Sequence, residues 1–176
     1  SNSELHMLKE DLKDFKGTFD MIGDNYFNLS QYDFKMIIDC GNGTVGPVLQ
    51  KLAEKMEWSD FHLLNVDVDG SFPNHEADPT IKKNMMQLVD ALQKKVGYFG
   101  IGFDGDGDRM IGVSHEGRMV LGDTMLALFA QDILKNQVGA KVVYDIKSSS
   151  LINEIVEKGN GIAITSPTGS SFVKHA

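Results

Sequence analysis

The chain has 176 residues, of which 41% are apolar, a formal net charge of −8 and a single cysteine. That apolar share is enough for a buried core and excludes wholesale disorder. The negative balance argues against nucleic acid or an anionic membrane as main partner, since both reward clustered Lys and Arg, and a lone Cys40 allows no intramolecular disulfide and fits a reducing compartment.

The opening SNSELHMLKEDLKDF is polar and lacks the apolar stretch of a secretion signal. The longest apolar run, residues 125–130, is far too short to span a bilayer. The expectation is a soluble cytoplasmic protein with no membrane partner and no nucleic-acid partner.

Leu5, Leu8, Leu12 and Phe15 are spaced like one face of an N-terminal helix, with a loop after it. FKMIID (34–39) reads as a strand, and GPVLQKLAEKM (46–56) as a helix with Val48, Leu49, Leu52, Ala53 and Met56 on one face. Pro47 suits its first turn. FHLLNVDVD (61–69) is a second strand. DPTIKKNMMQLVDALQKKVG (78–97) offers a turn and then a helix facing inward through Ile81, Met85, Leu88, Val89 and Leu92, with Gly97 as its stop. YFGIGF (98–103) and MIGVS (110–114) are strands, HEGR (115–118) a hairpin turn and MVLG (119–122) a return strand. A helix (123–134), a strand (141–146), a helix (148–159) and a strand (161–165) follow, and another helix begins at SSFVKHA (170–176). This alternation predicts an α/β fold: a three-layer α/β/α arrangement with a mixed, mostly parallel sheet, plus an incomplete second domain of the same type.

Between two apolar strands lies GFDGDGDR (102–109), with Asp104, Asp106 and Asp108 at every second position. Carboxylates ~6 Å apart at an effective dielectric of ~20 repel by roughly 3 kcal/mol per pair. A divalent cation turns that repulsion into binding, and the intervening glycines allow the chain to curl around it. All-oxygen ligands select a hard cation such as Mg²⁺, Mn²⁺ or Ca²⁺. An EF-hand is excluded, because its required Gly and Glu positions are Arg109 and His115 here. Arg109 is a planar bidentate donor suited to a phosphate beside the ion. The competing reading is a solvated acidic turn.

GFDGDGDR resembles the metal-binding loop of the α-D-phosphohexomutases, the phosphomannomutase/phosphoglucomutase family. In the same order, DCGNGTVG (39–46) is similar to the family's DCGNG segment and DGSFPNHEADPT (69–80) to its DGNFPNH-PDP segment. YDIKSSS (144–150) and PTGSSFVK (167–174) resemble its DVK and KTGHS-IK stretches, so the likeness runs from about Phe34 to the end. It implies a four-domain isomerase of carbohydrate metabolism. In such an enzyme a phosphoserine gives its phosphoryl group to a hexose monophosphate, and the bisphosphate intermediate turns round and returns the other phosphate. It implies Mg²⁺ held by Asp104, Asp106 and Asp108, with a phosphoserine oxygen as the remaining protein-side ligand. It also implies catalytic parts for Arg109 and for Lys147, the latter in proton transfer or phosphate contact. The chain then corresponds to domain II with a linker helix (1–118) and a truncated start of domain III (119–176). Its partners are a hexose phosphate in the full-length protein, domains I and IV, and the rest of III.

Two departures bear on this. No TASHNP-like serine segment and no Gly-Glu-x-Ser-Gly-His sugar segment occurs, so the chain alone is expected to be inactive and the sugar cannot be chosen, although FPNH leans towards glucose or mannose over glucosamine. Where the family usually has the His of KTGHS, Ser170 stands, and Pro167 replaces the Lys. The alternative is a noncatalytic or regulatory metal- or ligand-binding module. A third reading takes GNGTVG (41–46) as a dinucleotide turn with Asp67 or Asp69 on the ribose. The plainer reading is that these glycines let a strand turn tightly into a helix. His75 either shapes a cleft between domains or belongs to a capped turn at Pro73, and Cys40 reads as a small buried residue.

Overall fold

In the computed structural model, residues 35–176 are described. The expected helix through Leu5 and Phe15 lies outside them.

A five-stranded mixed sheet in the order β2-β1-β3-β4-β5 organises the first part. Its strands are β1 (Met36–Asp39), β2 (Phe61–Leu64), β3 (Phe99–Phe103), β4 (Met110–Val113) and β5 (Met119–Val120). β1 pairs parallel with both β2 and β3, whereas β3–β4 and β4–β5 are antiparallel. β1 is flanked on both sides and its successive residues Ile37 and Ile38, which face opposite layers, are 1% and 3% exposed.

Helix α1 (Val45–Lys55) follows β1, and α2 (Met86–Gln93) precedes β3, entered through a 3-10 turn at Lys82–Met85. Leu88 and Leu92, one turn apart on α2, join Met85, Ile37, Tyr98, Ile111 and Val113 in one core. The FGIGF alternation of β3 makes room for them. A Cβ on Gly102 would come within 2.4 Å of Met85 Cε, and one on Gly100 within 2.8 Å of Leu92 Cδ1.

Some elements differ from the periodicity. The second strand stops at Leu64, because Asn65 turns left-handed at φ 51° and residues 65–69 serve other partners. The Asn65 and Asp67 carbonyls accept from Asn42, and the Val66 carbonyl lies where a Cβ of Gly46 would sit, at 2.2 Å. Ile81 is extended (φ −90°, ψ 113°) and outside the helical face, so it is exposed. Val48, on the edge of the α1 stripe, is exposed as well. The HEGR turn closes as expected, with Ser114 N–H donating to the Arg118 carbonyl at 2.8 Å.

The second part holds α3 (Gly122–Asn136), β6 (Lys141–Asp145), α4 (Leu151–Lys158), β7 (Ile162–Ser166) and α5 (Ser170–His175). β6 and β7 pair in parallel. Ala127, Ala130 and Leu134 of α3 and Ile152 and Val156 of α4 form a separate core, with Val142, Tyr144 and Ala163 packed on it.

Because β1, β2 and β3 run parallel, their last residues Asp39, Leu64 and Phe103 end on one edge. The three motif-bearing loops all leave from that edge, where α/β sheets gather ligands.

Candidate metal centre

The loop after β3 is a tight turn. Asp104 N–H donates to the Arg109 carbonyl and Gly107 N–H to the Asp104 carbonyl, both at 3.2 Å. Gly107 takes φ 76°, a backbone conformation that a residue with a Cβ adopts only under strain. One carboxylate oxygen from each of Asp104, Asp106 and Asp108 lies within 4.8 Å of the others. Two metal–oxygen bonds span at most about 4.2 Å for Mg²⁺ and about 4.6–5.2 Å for Ca²⁺, so the oxygens need to close in by only about half an ångström to share the smaller ion. The donor set is all oxygen, which fits a hard divalent cation and not zinc.

The three carboxylates differ electrostatically. Asp104 is buried, whereas Asp106 and Asp108 are exposed. Burial pushes the Asp104 carboxyl upward, but bonds from the Arg109 backbone N–H (3.1 Å to Oδ1) and from Arg109 Nε (2.6 Å to Oδ2) outweigh it. The group is held below the usual carboxylate range. Asp108 moves the other way: the charge of Asp106 is the main cause, and partial desolvation and Asp104 add to it. The loop therefore carries like-charge repulsion that a cation would relieve.

Two other loops brace this one. In the first, Thr44 N–H donates to the Gly105 carbonyl at 2.9 Å. Gly43 packs so closely that a Cβ there would lie 2.5 Å from the Gly105 oxygen. In the second, Phe72 Cζ and Ala77 Cβ lie 3.3 and 3.7 Å from the Cβ position of Gly105. Ala77 also stands 3.3 Å from that of Gly41. The glycines of GNGTVG are thus occupied by the protein's own backbone, and Asp69 caps its own turn by accepting from Ser71 N–H at 2.9 Å and Ser71 Oγ at 2.7 Å.

Beneath these loops sits a polar cluster. Asp39, 1% exposed, accepts from Gly41 N–H (3.0 Å) and Asn65 Nδ2 (2.9 Å) through Oδ1. Its Oδ2 lies 3.0 Å from His75 Nε2. Asn74 Nδ2 donates to Asn42 Oδ1 at 2.8 Å. Sequence reasoning passed over Asp39; the signal was a charged residue ending an otherwise apolar strand. Cys40 is fully buried, and desolvation, with Asp39 beside it, pushes its thiol up to about 12.

Arg109 is part of the aspartate loop, with its Nε on Asp104 and 3.6 Å from Asp108 Oδ1. Lys147 is not joined to the aspartates by any ion pair among the described residues. It is exposed in the turn after β6, its backbone N–H donating to Asp145 Oδ1 at 2.7 Å. Thr168 Oγ1 donates to the same oxygen at 2.9 Å, so Asp145 ties the Lys147 turn to the segment between Pro167 and Ser170. Ser149 N–H donates to Asp123 Oδ2 at 3.3 Å, fixing that turn to the start of α3.

Residues 18–117 match the family described as phosphoglucomutase/phosphomannomutase, alpha/beta/alpha domain II, and residues 121–176 match domain III of the same family. A phosphoglucomutase of Neisseria meningitidis serogroup A is 42% identical over 142 residues, covering 81% of this chain and 31% of the relative. A phosphomannomutase/phosphoglucomutase of Pseudomonas putida is 37% identical over 140 residues, 80% of this chain and 30% of the relative. The crystal structure of a phosphoglucomutase/phosphomannomutase family protein from Burkholderia thailandensis superposes with a TM-score of 0.76 at 34% identity, covering 81% of this chain and 31% of that one. An N-acetylglucosamine-phosphate mutase, a member of the alpha-D-phosphohexomutase superfamily, shares the fold at TM-score 0.65 and 21% identity, over 90% of this chain and 38% of that one. The chain therefore spans about a third of the length of these relatives.

Proposed function

Because the chain belongs to the phosphoglucomutase/phosphomannomutase family, we propose that it is the metal-binding portion of a phosphohexomutase, which moves a phosphoryl group between the 6- and 1-positions of a hexose phosphate. The observation that carries this reading is the set of Asp104, Asp106 and Asp108 oxygens within 4.8 Å of one another, with Arg109 beside them. The metal-binding unit is assigned to residues 1–118 and the start of the next domain to 119–176, with the short β5 (Met119–Val120) still paired to the sheet of the first.

Asp104, Asp106 and Asp108 would hold Mg²⁺, with a phosphoserine oxygen from outside this chain completing the protein-side set. When bound, the ion supplies neutralisation of charge on the transferring phosphoryl group. The chain's own residues do the rest of what falls to this domain. Asp104 is fixed by two bonds from Arg109, and its oxygens keep lone pairs for a further partner. Arg109 is 59% exposed, and its remaining guanidinium N–H groups are suited to a substrate phosphate. Lys147, exposed after β6, is the candidate for phosphate contact or proton transfer from the following domain. The bisphosphate intermediate and the phosphoserine belong to the full-length reaction.

As a separate molecule the chain completes no turnover, because its sequence contains neither the serine nor the sugar segment of the family. Two measurements test this. Purified chain binds Mn²⁺ or Mg²⁺ in an EDTA-reversible manner, and Asp106→Asn abolishes it; no binding by the folded chain refutes the metal role. Conversion of glucose 1-phosphate by the chain alone refutes the inactivity. Ser170, in place of the family histidine, favours a second reading, a noncatalytic metal- or ligand-binding derivative. It would be supported if a complete protein carrying Ser170 bound metal without converting hexose phosphate, and overturned if that protein turned over.

A further inference from the structure

We propose that His75, acting through the buried Asp39 carboxylate, is a positioning residue that holds the FPNH segment as a brace against the aspartate loop. The proposal rests on the metal-binding reading above and assigns His75 no contact with substrate.

Four observations carry it. First, Asp39 is a carboxylate with a 2% exposed side chain, and burying one is costly unless its oxygens are satisfied. His75, itself 14% exposed, supplies the partner for Oδ2 at 3.0 Å. Secondly, the other ring nitrogen, Nδ1, lies 2.9 Å from the Glu76 carbonyl, so both nitrogens face acceptors and the ring donates from whichever of them carries the proton. A capped turn around Pro73 would need neither the buried carboxylate nor a partner 36 residues away. Thirdly, the same segment is tied to the first glycine loop a second time, through the Asn74–Asn42 bond of 2.8 Å. Fourthly, residues on either side of His75 border the aspartate loop: Phe72 Cζ and Ala77 Cβ lie 3.3 and 3.7 Å from where a Cβ on Gly105, between Asp104 and Asp106, would sit. The ring thus anchors a segment whose two ends border the backbone that carries the ligands. Groups bonded directly to metal ligands set the geometry and affinity of a site, and His75 acts one step further out, through the backbone between two of them.

The experiment uses the full chain. His75→Leu fills the space but cannot hydrogen-bond Asp39, and His75→Gln keeps an amide able to donate to it. His75→Asn, polar but short, replaces the leucine variant should that one not fold. Amide NMR shifts of residues 104–109 are read without metal, and Mn²⁺ affinity is read separately. His75→Leu is expected to move those shifts and to weaken Mn²⁺ binding about tenfold, while His75→Gln stays close to the parent in both. A loss of unfolding temperature with unchanged 104–109 shifts and unchanged Mn²⁺ affinity would overturn the positioning role and leave an ordinary buried pair. Moved shifts in a parent chain that binds no Mn²⁺ would instead sustain the brace and overturn the metal reading.

Discussion

Arg109 Nε stands 2.6 Å from Asp104 Oδ2, so the arginine of the loop caps its buried carboxylate while Asp106 and Asp108 remain open to solvent. The loop is thereby divided into a fixed member and two that face each other's charge. That division sets how the loop responds to metal, to pH and to substitution.

Metal should stabilise the chain, and only modestly, since three carboxylates must hold a reluctantly dehydrating ion without the remaining ligand. With a Kd on the order of 1 mM, 10 mM Mg²⁺ contributes about 1.4 kcal/mol. Thermal unfolding followed by circular dichroism should shift upward by roughly 3–6 °C in a domain of this size. EDTA should reverse the shift, and Asp106→Asn should remove it.

Asp108→Asn should raise the unfolding temperature of the metal-free chain at neutral pH even though it removes a ligand. The Asp106 charge is the main reason that the Asp108 carboxyl titrates above its ordinary value of 3.8. A carboxyl raised in the folded state favours folding when protonated, and that contribution is lost as pH rises through the folded value. Ionised Asp108 is therefore unfavourable at pH 7, and the gap between variant and parent should close as pH falls below about 4. Asp104 has the opposite sign: its carboxyl is lowered, its contribution is present above 3.8 and is lost on acidification. Asp104→Asn should lower the unfolding temperature at pH 7. A melting series from pH 3 to 8 checks both.

Two glycine substitutions separate backbone from side-chain crowding. In Gly43→Ala the new Cβ meets the Gly105 carbonyl at 2.5 Å, backbone that cannot retreat without moving the aspartate loop. In Gly102→Ala it meets Met85 Cε at 2.4 Å, the end of a flexible side chain. Denaturant unfolding should show Gly43→Ala costing about 2–4 kcal/mol and Gly102→Ala about 1 kcal/mol. Gly43→Ala should also reduce Mn²⁺ affinity, and Gly102→Ala should not.

Cys40 should report global opening. Its fully buried thiol, raised to about 12 by desolvation first and by Asp39 second, is almost wholly protonated at pH 8. Reaction with an aromatic disulfide reagent should be negligible in the folded chain. It should accelerate with denaturant in step with circular dichroism.

Much of this was written locally. The three alternating aspartates predict a shared ion because like charges at that spacing are unfavourable without one; one oxygen of each lies within 4.8 Å of the others, and metal binding itself is what we propose. The strand–helix alternation gave the α/β class, and Leu88 and Leu92 marked their helix face from spacing alone. Local pattern misled where the backbone was used by something distant. Residues 65–69 look like strand, yet Asn65 turns away at φ 51° because Asn42, on another loop, claims the Asn65 and Asp67 carbonyls. The tertiary structure alone decided that Asp39 meets His75, that Gly43 touches Gly105 and that Arg109 caps Asp104 rather than another carboxylate. Hydrophobic period is a property of neighbours along the chain, so it survives in the sequence. Partners brought together by parallel strands ending on one edge are fixed by register, which no short stretch encodes.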